Sequence, residues 1–101
     1  MAIVEVTITP LGTQTPSVSY YVAEVHKVLE QSNLKFQLTP MNTIIEGDMH
    51  EILEVIQKMH EVPFEKGALR VSTSIRIDDR RDKLASMEQK MKSVEEKMNK
   101  N

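Results

Sequence analysis

Residues 34–47 read LKFQLTPMNTIIEG, and this stretch decides the predicted fold. Its first part, 34–38, alternates between apolar and polar side chains, which is the period-two pattern of a half-buried strand. Pro40 predicts a turn, because proline disfavours helical geometry in the residue before it and punctuates the chain. Residues 42–47 then return as a second strand that ends at a glycine. The stretch therefore predicts a β-hairpin.

A helix is predicted on each side of this hairpin. Before it, Thr15 is suited to cap a helix and Pro16 to occupy its first position. Apolar residues then recur every three or four positions as far as Leu29, so one stripe of this helix is buried. After the hairpin, Asp48 is placed to cap a second helix, with Glu51 three positions later as in a capping box. The apolar face of the second helix comprises Met49, Ile52, Leu53, Ile56 and Met59.

Two further strands are predicted at the outer ends of this unit. Residues 3–8 alternate in polarity, and we expect Pro10 and Gly12 to stop that strand. The second helix is expected to close at residues 62–63, where a proline follows a valine. Residues 68–78 then form a long fourth strand, with the odd-numbered positions 69–77 on one face.

The element order β-α-β-β-α-β predicts an α+β fold. By the right-handed crossover rule, both helices cover one side of a four-stranded antiparallel sheet, which is the ferredoxin-like split βαβ arrangement. The other side, called here the open face, carries polar side chains and is either solvated or shared with a second subunit. Its members are Glu5, Thr7, Lys35, Gln37, Arg70, Ser72, Ser74 and Arg76.

We expect one domain over residues 1–101, divided into a core of residues 1–80 and a C-terminal helix of residues 81–101. Apolar residues of this helix follow a narrow heptad seam, which is typical of helix–helix contacts rather than of a helix lying on a sheet. The seam comprises Leu84, Met87, Met91, Val94 and Met98. It favours a contact between chains; docking on the open face of the same chain is the alternative.

Composition excludes several classes of protein. The chain has no cysteine, so disulfides, thiolate metal sites and cysteine nucleophiles are excluded, and the reducing cytoplasm is a compatible location. No apolar run reaches the ~20 residues that a membrane-spanning helix needs. The first residues lack a basic leader, so we expect no signal peptide. A pI near 5.9 and 4% aromatic residues argue against nucleic-acid binding.

Signals of catalysis and of metal binding are weak. His26, His50 and His60 are the three histidines, and the last two lie ~15 Å apart along the second predicted helix, too far to share a metal ion. No serine stands in a G-x-S-x-G motif, and no glycine-rich phosphate-binding motif occurs. We therefore expect no catalytic residue, no metal and no cofactor.

The polar residues of the third strand are the strongest candidates for a binding site. Glu46 precedes a glycine and a helix start, and its carboxylate can accept hydrogen bonds from an amino-heterocycle or neutralise a cation. The Thr43 hydroxyl can fix the orientation of a ligand, while Met41 and Ile45 can cover a flat ring. The alternative is purely structural: Glu46 favours the nearby helix N-terminus and Thr43 is an ordinary strand residue.

Four segments together resemble the small thiamine-binding protein family, and the resemblance spans essentially the whole chain. The segments are Val6-x-Ile8-x-Pro10-Leu11-Gly12, Ser17-Val18-Ser19-x-Tyr21-Val22, residues 38–47, and Arg70-Val71-x-Thr73-x-Ile75-x-Ile77-Asp78-x-Arg80. Where that family usually has a glycine before the threonine of the third strand, this chain has Asn42.

The resemblance implies a ferredoxin-like domain that forms homodimers through its sheets and often homotetramers. It implies binding of thiamine (vitamin B1) or of its hydroxymethylpyrimidine moiety near a subunit interface, without catalysis. The ligand-binding residues that it implies are Thr43, Ile45, Glu46, Ser17, Ser19 and Arg70. Arg70 suits a thiamine phosphate better than the thiazolium cation, so the form of the ligand stays open.

Our leading hypothesis is a cytoplasmic, homo-oligomeric, non-catalytic protein that binds thiamine or a pyrimidine precursor as a carrier, buffer or sensor. The competing hypothesis is a regulatory oligomerisation module that binds a protein partner through the heptad seam and the open face. A small enzyme with Glu46 as general base is less favoured, because no nucleophile–base pair is visible. Binding to nucleic acid or to a membrane is not expected.

Overall fold

The computed structural model describes residues 1–12, 19–82 and 87–98. In chain order its elements are β1 (Ala2–Leu11), α1 (Ser19–Glu30), β2 (Lys35–Leu38), β3 (Thr43–Gly47), α2 (Met49–Glu65), β4 (Arg70–Asp79) and α3 (Met87–Met98). The strands form one antiparallel sheet in the order β2-β3-β1-β4. The predicted ferredoxin-like α+β fold with an additional C-terminal helix is confirmed. The predicted cap and start of the first helix, Thr15 and Pro16, lie outside the described residues.

β1 lies in the middle of the sheet and organises the core. Val4 is opposite Ile45 of β3 on one side and Ile77 of β4 on the other. Because side chains alternate along a strand, every second residue of β1 faces the two helices α1 and α2. The buried core on that face comprises Ala2, Val4, Val6, Leu29, Ile45, Ile52, Val55, Ile56 and Met59.

We expected Pro10 and Gly12 to stop the first strand; β1 passes through Pro10 and ends at Leu11, directly before Gly12. β3 pairs with β1 only as far as Val6, so this end of β1 has a neighbour on one side alone. There Pro10 lies opposite Val71 of β4. Proline has no backbone N–H to donate to a neighbouring strand. It is tolerated where one edge of its own strand is unpaired, because that edge needs no hydrogen-bond donor.

The prediction that the second helix closes at residues 62–63 is wrong, because α2 runs to Glu65 with Pro63 inside its last turn. The backbone N–H of Lys66 donates to the carbonyl oxygens of Val62 and Pro63, and that of Ala68 donates to Pro63. These bonds complete the helix end, and the apolar proline ring is buried against the core. A proline in the last turn therefore costs one hydrogen bond without ending the helix.

Several positions that were expected on buried faces are partly open to solvent. Leu53 is 43% exposed, because the buried face of α2 passes instead through Val55. Ile75 and Ile77 share the helix-covered face as predicted, yet each is 44% exposed. β4 is an edge strand, so α2 covers only the side nearer to β1.

The described side chains of α3, residues 89–98, are all exposed. Met91, Val94 and Met98 of the heptad seam are 62%, 50% and 71% exposed, so the seam is not buried against the described residues of its own chain. An ion pair between Lys90 and Asp78 joins the helix to the end of β4. The hydrogen bond and the charge of Lys90 lower the pKa of the Asp78 carboxyl below its ordinary value.

We predict that the Asp48→Ala substitution lowers the free energy of unfolding by about 1 kcal/mol. The Asp48 carboxylate accepts hydrogen bonds from the backbone N–H groups of His50 and Glu51, at 3.1 and 3.3 Å, and so caps α2. For a domain of this size the melting temperature falls by about 4–8 °C, as thermal denaturation would measure. Asp48→Asn keeps the acceptor and is the control; an equal loss in both variants would contradict the capping role.

Candidate functional site

A cavity of about 320 Å³ lies on the helix-covered side of the sheet, beside the β2–β3 turn. One wall is the second half of β1, from Val6 to Pro10. The opposite wall is the face of α1 that is turned towards the cavity. The turn itself, residues 38–43, forms the rim, and Met59 and Pro63 of α2 contribute to the lining. The cavity is thus assembled from four elements that are distant in sequence.

The walls are mainly apolar, with polar groups on the turn, on β1 and on α1. Val22, Val25 and Leu29 of α1 recur at helical spacing and present aliphatic side chains to the cavity. Val22 is half exposed because it faces this space rather than the packed core. Such an arrangement, apolar walls with a few polar groups, is typical of sites for small organic molecules.

Thr43 supplies a hydroxyl at the start of β3. It is paired with Val6 of β1 and Leu38 of β2, which places its side chain on the helix-covered face. The residue is partly buried, and its hydroxyl makes no hydrogen bond to the described residues. It can therefore donate to, or accept from, a molecule in the cavity.

The β2–β3 turn is held in place by a hydrogen-bond network centred on Thr39. Its hydroxyl oxygen accepts from the backbone N–H groups of Met41 and Asn42, at 3.2 and 3.0 Å. The hydroxyl proton is directed to Asn42, whose side-chain oxygen lies 2.8 Å away. The side-chain amide of Asn42 in turn donates to the Glu5 carboxylate at 3.0 Å. This network fixes the rim of the cavity.

His26 forms part of the α1 wall and is fixed by its neighbours. Its Nε2 atom lies 2.9 Å from a carboxylate oxygen of Glu30, one turn further along the helix. Its ring meets the ring of Phe36 edge to face, with the two centroids 5.2 Å apart. The Nδ1 atom is buried and has no hydrogen-bond partner in the part of the chain that the structure describes.

The lining carries little charge. Among the described residues that line the cavity there is no lysine, arginine, aspartate or glutamate. A cationic ligand would therefore meet no fixed positive charge there, and an anionic one would find no basic partner on the walls. The chemistry favours a flat, mainly neutral or weakly cationic organic molecule.

The structure separates the residues that the sequence analysis grouped on the third strand. Thr43 lines the cavity, whereas Ile45 is completely buried in the core and does not line it. Glu46 is paired with Ile3 and Lys35, so its side chain lies on the open face, away from the cavity.

Of the other predicted site residues only Arg70 has a described side chain, and it does not line the cavity. Arg70 begins β4, lies opposite Leu11 and is exposed. Ser19 begins α1, but its side chain is outside the described residues, as is the whole of Ser17.

Glu46 is nevertheless unusual, because it is only 5% exposed. Its Oε2 atom lies 3.7 Å from the Lys35 ammonium and has no hydrogen-bond partner among the residues described. A buried carboxylate without full hydrogen bonding is costly, so the ion pair is its main compensation.

Sequence reasoning missed several residues of the cavity, among them His26 and the β1 segment 6–10. No motif or spacing connects α1, β1 and the turn, so only the folded chain brings them together. Met41, expected to cover a flat ring, lies at the rim of the cavity. Within residues 1–12, 19–82 and 87–98, no group of three or more histidine and acidic side chains could hold a metal ion. No described helix is long and apolar enough to cross a membrane.

Comparison with known proteins adds a family assignment to this geometry. The profile of a family described as thiamine-binding protein matches residues 4–95. The UPF0045 protein YqgV of Bacillus subtilis is 58% identical over 98 residues, which cover 93% of this chain and 94% of that protein.

Solved structures agree with the fold. The UPF0045 protein MJ1052 of Methanocaldococcus jannaschii has a TM-score of 0.84 and 37% identity, covering 94% of this chain and 96% of that one. A candidate thiamine biosynthesis/salvage protein of Thermotoga maritima has a TM-score of 0.77 over 92% of this chain and 97% of its own. At 18% identity, this second similarity supports the fold alone.

We predict that Thr39→Val accelerates amide hydrogen exchange at Met41 and Asn42 by about fivefold, since each amide loses a hydrogen bond of ~1 kcal/mol to the Thr39 hydroxyl oxygen. Exchange measured by NMR on the labelled protein would report both positions. Thr9→Val, at an exposed position of β1, is the matched control and leaves exchange in the turn unchanged. Unaltered exchange in Thr39→Val would show that the hydroxyl does not hold the turn.

Proposed function

The chain belongs to the thiamine-binding protein family, and from this premise we propose that its cavity binds thiamine or the hydroxymethylpyrimidine moiety of thiamine. In this proposal the protein is a cytoplasmic carrier, buffer or sensor and catalyses no reaction. The observation that carries it is the cavity beside the β2–β3 turn, with its apolar walls and the Thr43 hydroxyl, which makes no hydrogen bond to the described residues.

The size and walls of the cavity support an aminopyrimidine as the ligand. A volume of about 320 Å³ is at the lower end of the range for small-molecule sites, which suits one or two small rings. Aliphatic side chains of α1 can cover one face of a flat ring, and Met41 can close over it from the rim. The thioether of methionine adapts well to aromatic surfaces.

The polar groups of the cavity support the proposal because they can orient the ligand. The Thr43 hydroxyl can donate to a ring nitrogen or accept from an exocyclic amine, and it has no competing partner among the described residues. The absence of lysine and arginine from the described lining makes the cavity compatible with the thiazolium cation of thiamine.

Five further residues remain proposals for ligand contact, and they differ in how they could reach a ligand. They are Glu46, Arg70, Ser17, Ser19 and Ile45. Ile45 is completely buried in the core and would act through packing. Glu46 and Arg70 are on the open face, so they would reach a ligand only if that face also forms a site, for example between two subunits.

The position of a histidine–threonine pair outside the cavity supports binding without catalysis. One pair does resemble a base and a hydroxyl: the Nδ1 atom of His60 is 2.6 Å from the hydroxyl oxygen of Thr73. This pair joins α2 to the edge strand β4, packs beside Phe64, and does not line the cavity. It is better explained as a structural link between two elements than as catalytic machinery.

The direct test is isothermal titration of ligand-free protein with thiamine and, in parallel, with hydroxymethylpyrimidine. We predict saturable binding to the unmodified protein. We predict also that Thr43→Val weakens it about five- to tenfold, the value of one hydrogen bond of roughly 1–1.4 kcal/mol, while preserving side-chain shape.

Glu46→Gln is the matched comparison, because it alters the same strand on the opposite face of the sheet. Loss of affinity in Thr43→Val alone supports the cavity. Loss in Glu46→Gln alone would place the ligand on the open face and overturn the proposed location. If neither ligand binds to the unmodified protein, the proposal fails, and a module that binds a protein partner becomes the better explanation.

We also propose that the chain forms homo-oligomers, with the heptad seam of α3 as one contact. The seam is supported by the exposure of Met91, Val94 and Met98 on one side of an otherwise charged helix. A narrow apolar seam of this kind stabilises a helix when a partner helix covers it.

We predict that Val94→Glu shifts the protein to smaller species in sedimentation velocity, because a charge is then placed in the centre of the seam. Ser93→Glu is the control, since position 93 is on the far side of α3 and is equally open to solvent. An unchanged sedimentation profile in Val94→Glu would exclude the seam as an essential contact between chains.

A further inference from the structure

Met41 occupies an unusual position, because it is both highly exposed and part of the ligand cavity. Its side chain is 82% exposed, although a thioether of this size is normally buried. At the same time it belongs to the rim of the cavity. A chemical change at its sulfur would therefore alter the surface that a bound ring meets.

The backbone keeps Met41 at the rim. Its own N–H donates to the Thr39 hydroxyl oxygen, and the neighbouring Asn42 is tied both to Thr39 and to Glu5. The turn therefore cannot easily swing away to remove an unfavourable side chain from the cavity. A modified Met41 would stay where the ligand enters.

The other methionines provide an internal contrast. Met59 also lines the cavity, but it is 1% exposed and closed to dissolved oxidants. Met91 and Met98 are also exposed, at 62% and 71%, but they lie on α3 and do not line the cavity. Among the described methionines, Met41 alone combines exposure to solvent with a place in the cavity wall.

We infer that Met41 is a site of reversible oxidation by hydroperoxides, and that its sulfoxide lowers the affinity of the cavity for its ligand. The inference rests on the proposed function, since the ligand is the one proposed above. In the reaction, a sulfur lone pair attacks one peroxide oxygen, a sulfur–oxygen bond forms and the oxygen–oxygen bond breaks. The sulfur loses two electrons, and the second oxygen leaves, after proton transfer, as water when the oxidant is hydrogen peroxide.

The expected loss of affinity follows from the difference in polarity between a thioether and a sulfoxide. The thioether is a soft apolar group that can cover an aromatic ring, whereas the sulfoxide is polar and prefers water. Placing it over the ring costs the apolar contact and requires the new oxygen to lose hydration. A fall in affinity of about tenfold is expected, corresponding to the loss of one good contact.

The experiment compares binding before and after treatment with dilute hydrogen peroxide. Peroxide is removed with catalase and buffer exchange, the added oxygen at each methionine is quantified by peptide mass spectrometry, and hydroxymethylpyrimidine is titrated calorimetrically. We expect Met41 to be oxidised before Met59 and the affinity to fall about tenfold. Treatment with methionine sulfoxide reductases A and B and a thiol reductant should restore it.

Two variants make the result specific. Met41→Leu keeps an apolar rim but cannot form a sulfoxide, so its affinity should survive peroxide. The double variant Met91→Leu/Met98→Leu removes the exposed sulfurs of α3 and should remain as sensitive as the unmodified protein.

The outcomes separate this inference from the proposed function. If the untreated protein binds neither hydroxymethylpyrimidine nor thiamine, the proposed function itself fails. If the untreated protein binds, but its affinity is unchanged once Met41 is fully oxidised, only the inference is overturned. It is overturned likewise if Met41→Leu loses affinity to the same extent as the unmodified protein, because oxidation then acts elsewhere.

Discussion

The pairing of β1 with both of its neighbours is the constraint on which the rest of the structure depends. Val4 lies opposite Ile45 on one side and Ile77 on the other, and both Val4 and Ile45 are completely buried. A slip of one residue in either register would turn the buried side chains to the open face. The same register determines which polar side chains of β3 can face the helices, so it sets the position of the site as well as the core.

Much of the fold was predictable, because the alternation of polarity is strong and local. The hairpin of residues 34–47, the order of the elements and the cap at Asp48 all depend on short-range patterns. The differences came at Pro10 and Pro63, where proline was expected to help end an element. In both places the effect of proline depends on whether a neighbour needs its missing N–H, and that is decided by the tertiary structure.

The candidate site was less predictable, because contiguity in sequence is a poor guide to contact within a strand. Thr43 and Glu46 belong to one short strand and were grouped in one pocket, yet an odd number of positions separates them and puts them on opposite faces. The His26 wall and the β1 wall join the cavity only through packing of α1 over the sheet. Recognition of a family can indicate the ligand, whereas the wall that receives it depends on the assembled fold.

The two faces of the sheet are nevertheless connected at the rim of the cavity. Glu5 is on the open face, opposite Arg76 and Ile44, and its carboxylate accepts the hydrogen bond from Asn42 that anchors the β2–β3 turn. A subunit covering the open face would desolvate Glu5 and strengthen its hydrogen bond to Asn42, because electrostatic interactions grow as water is excluded. The turn that carries Met41 and leads into Thr43 would then be held more firmly. The proposed assembly on the open face and the proposed ligand binding in the cavity would thus share one support, the hydrogen bond between Asn42 and Glu5.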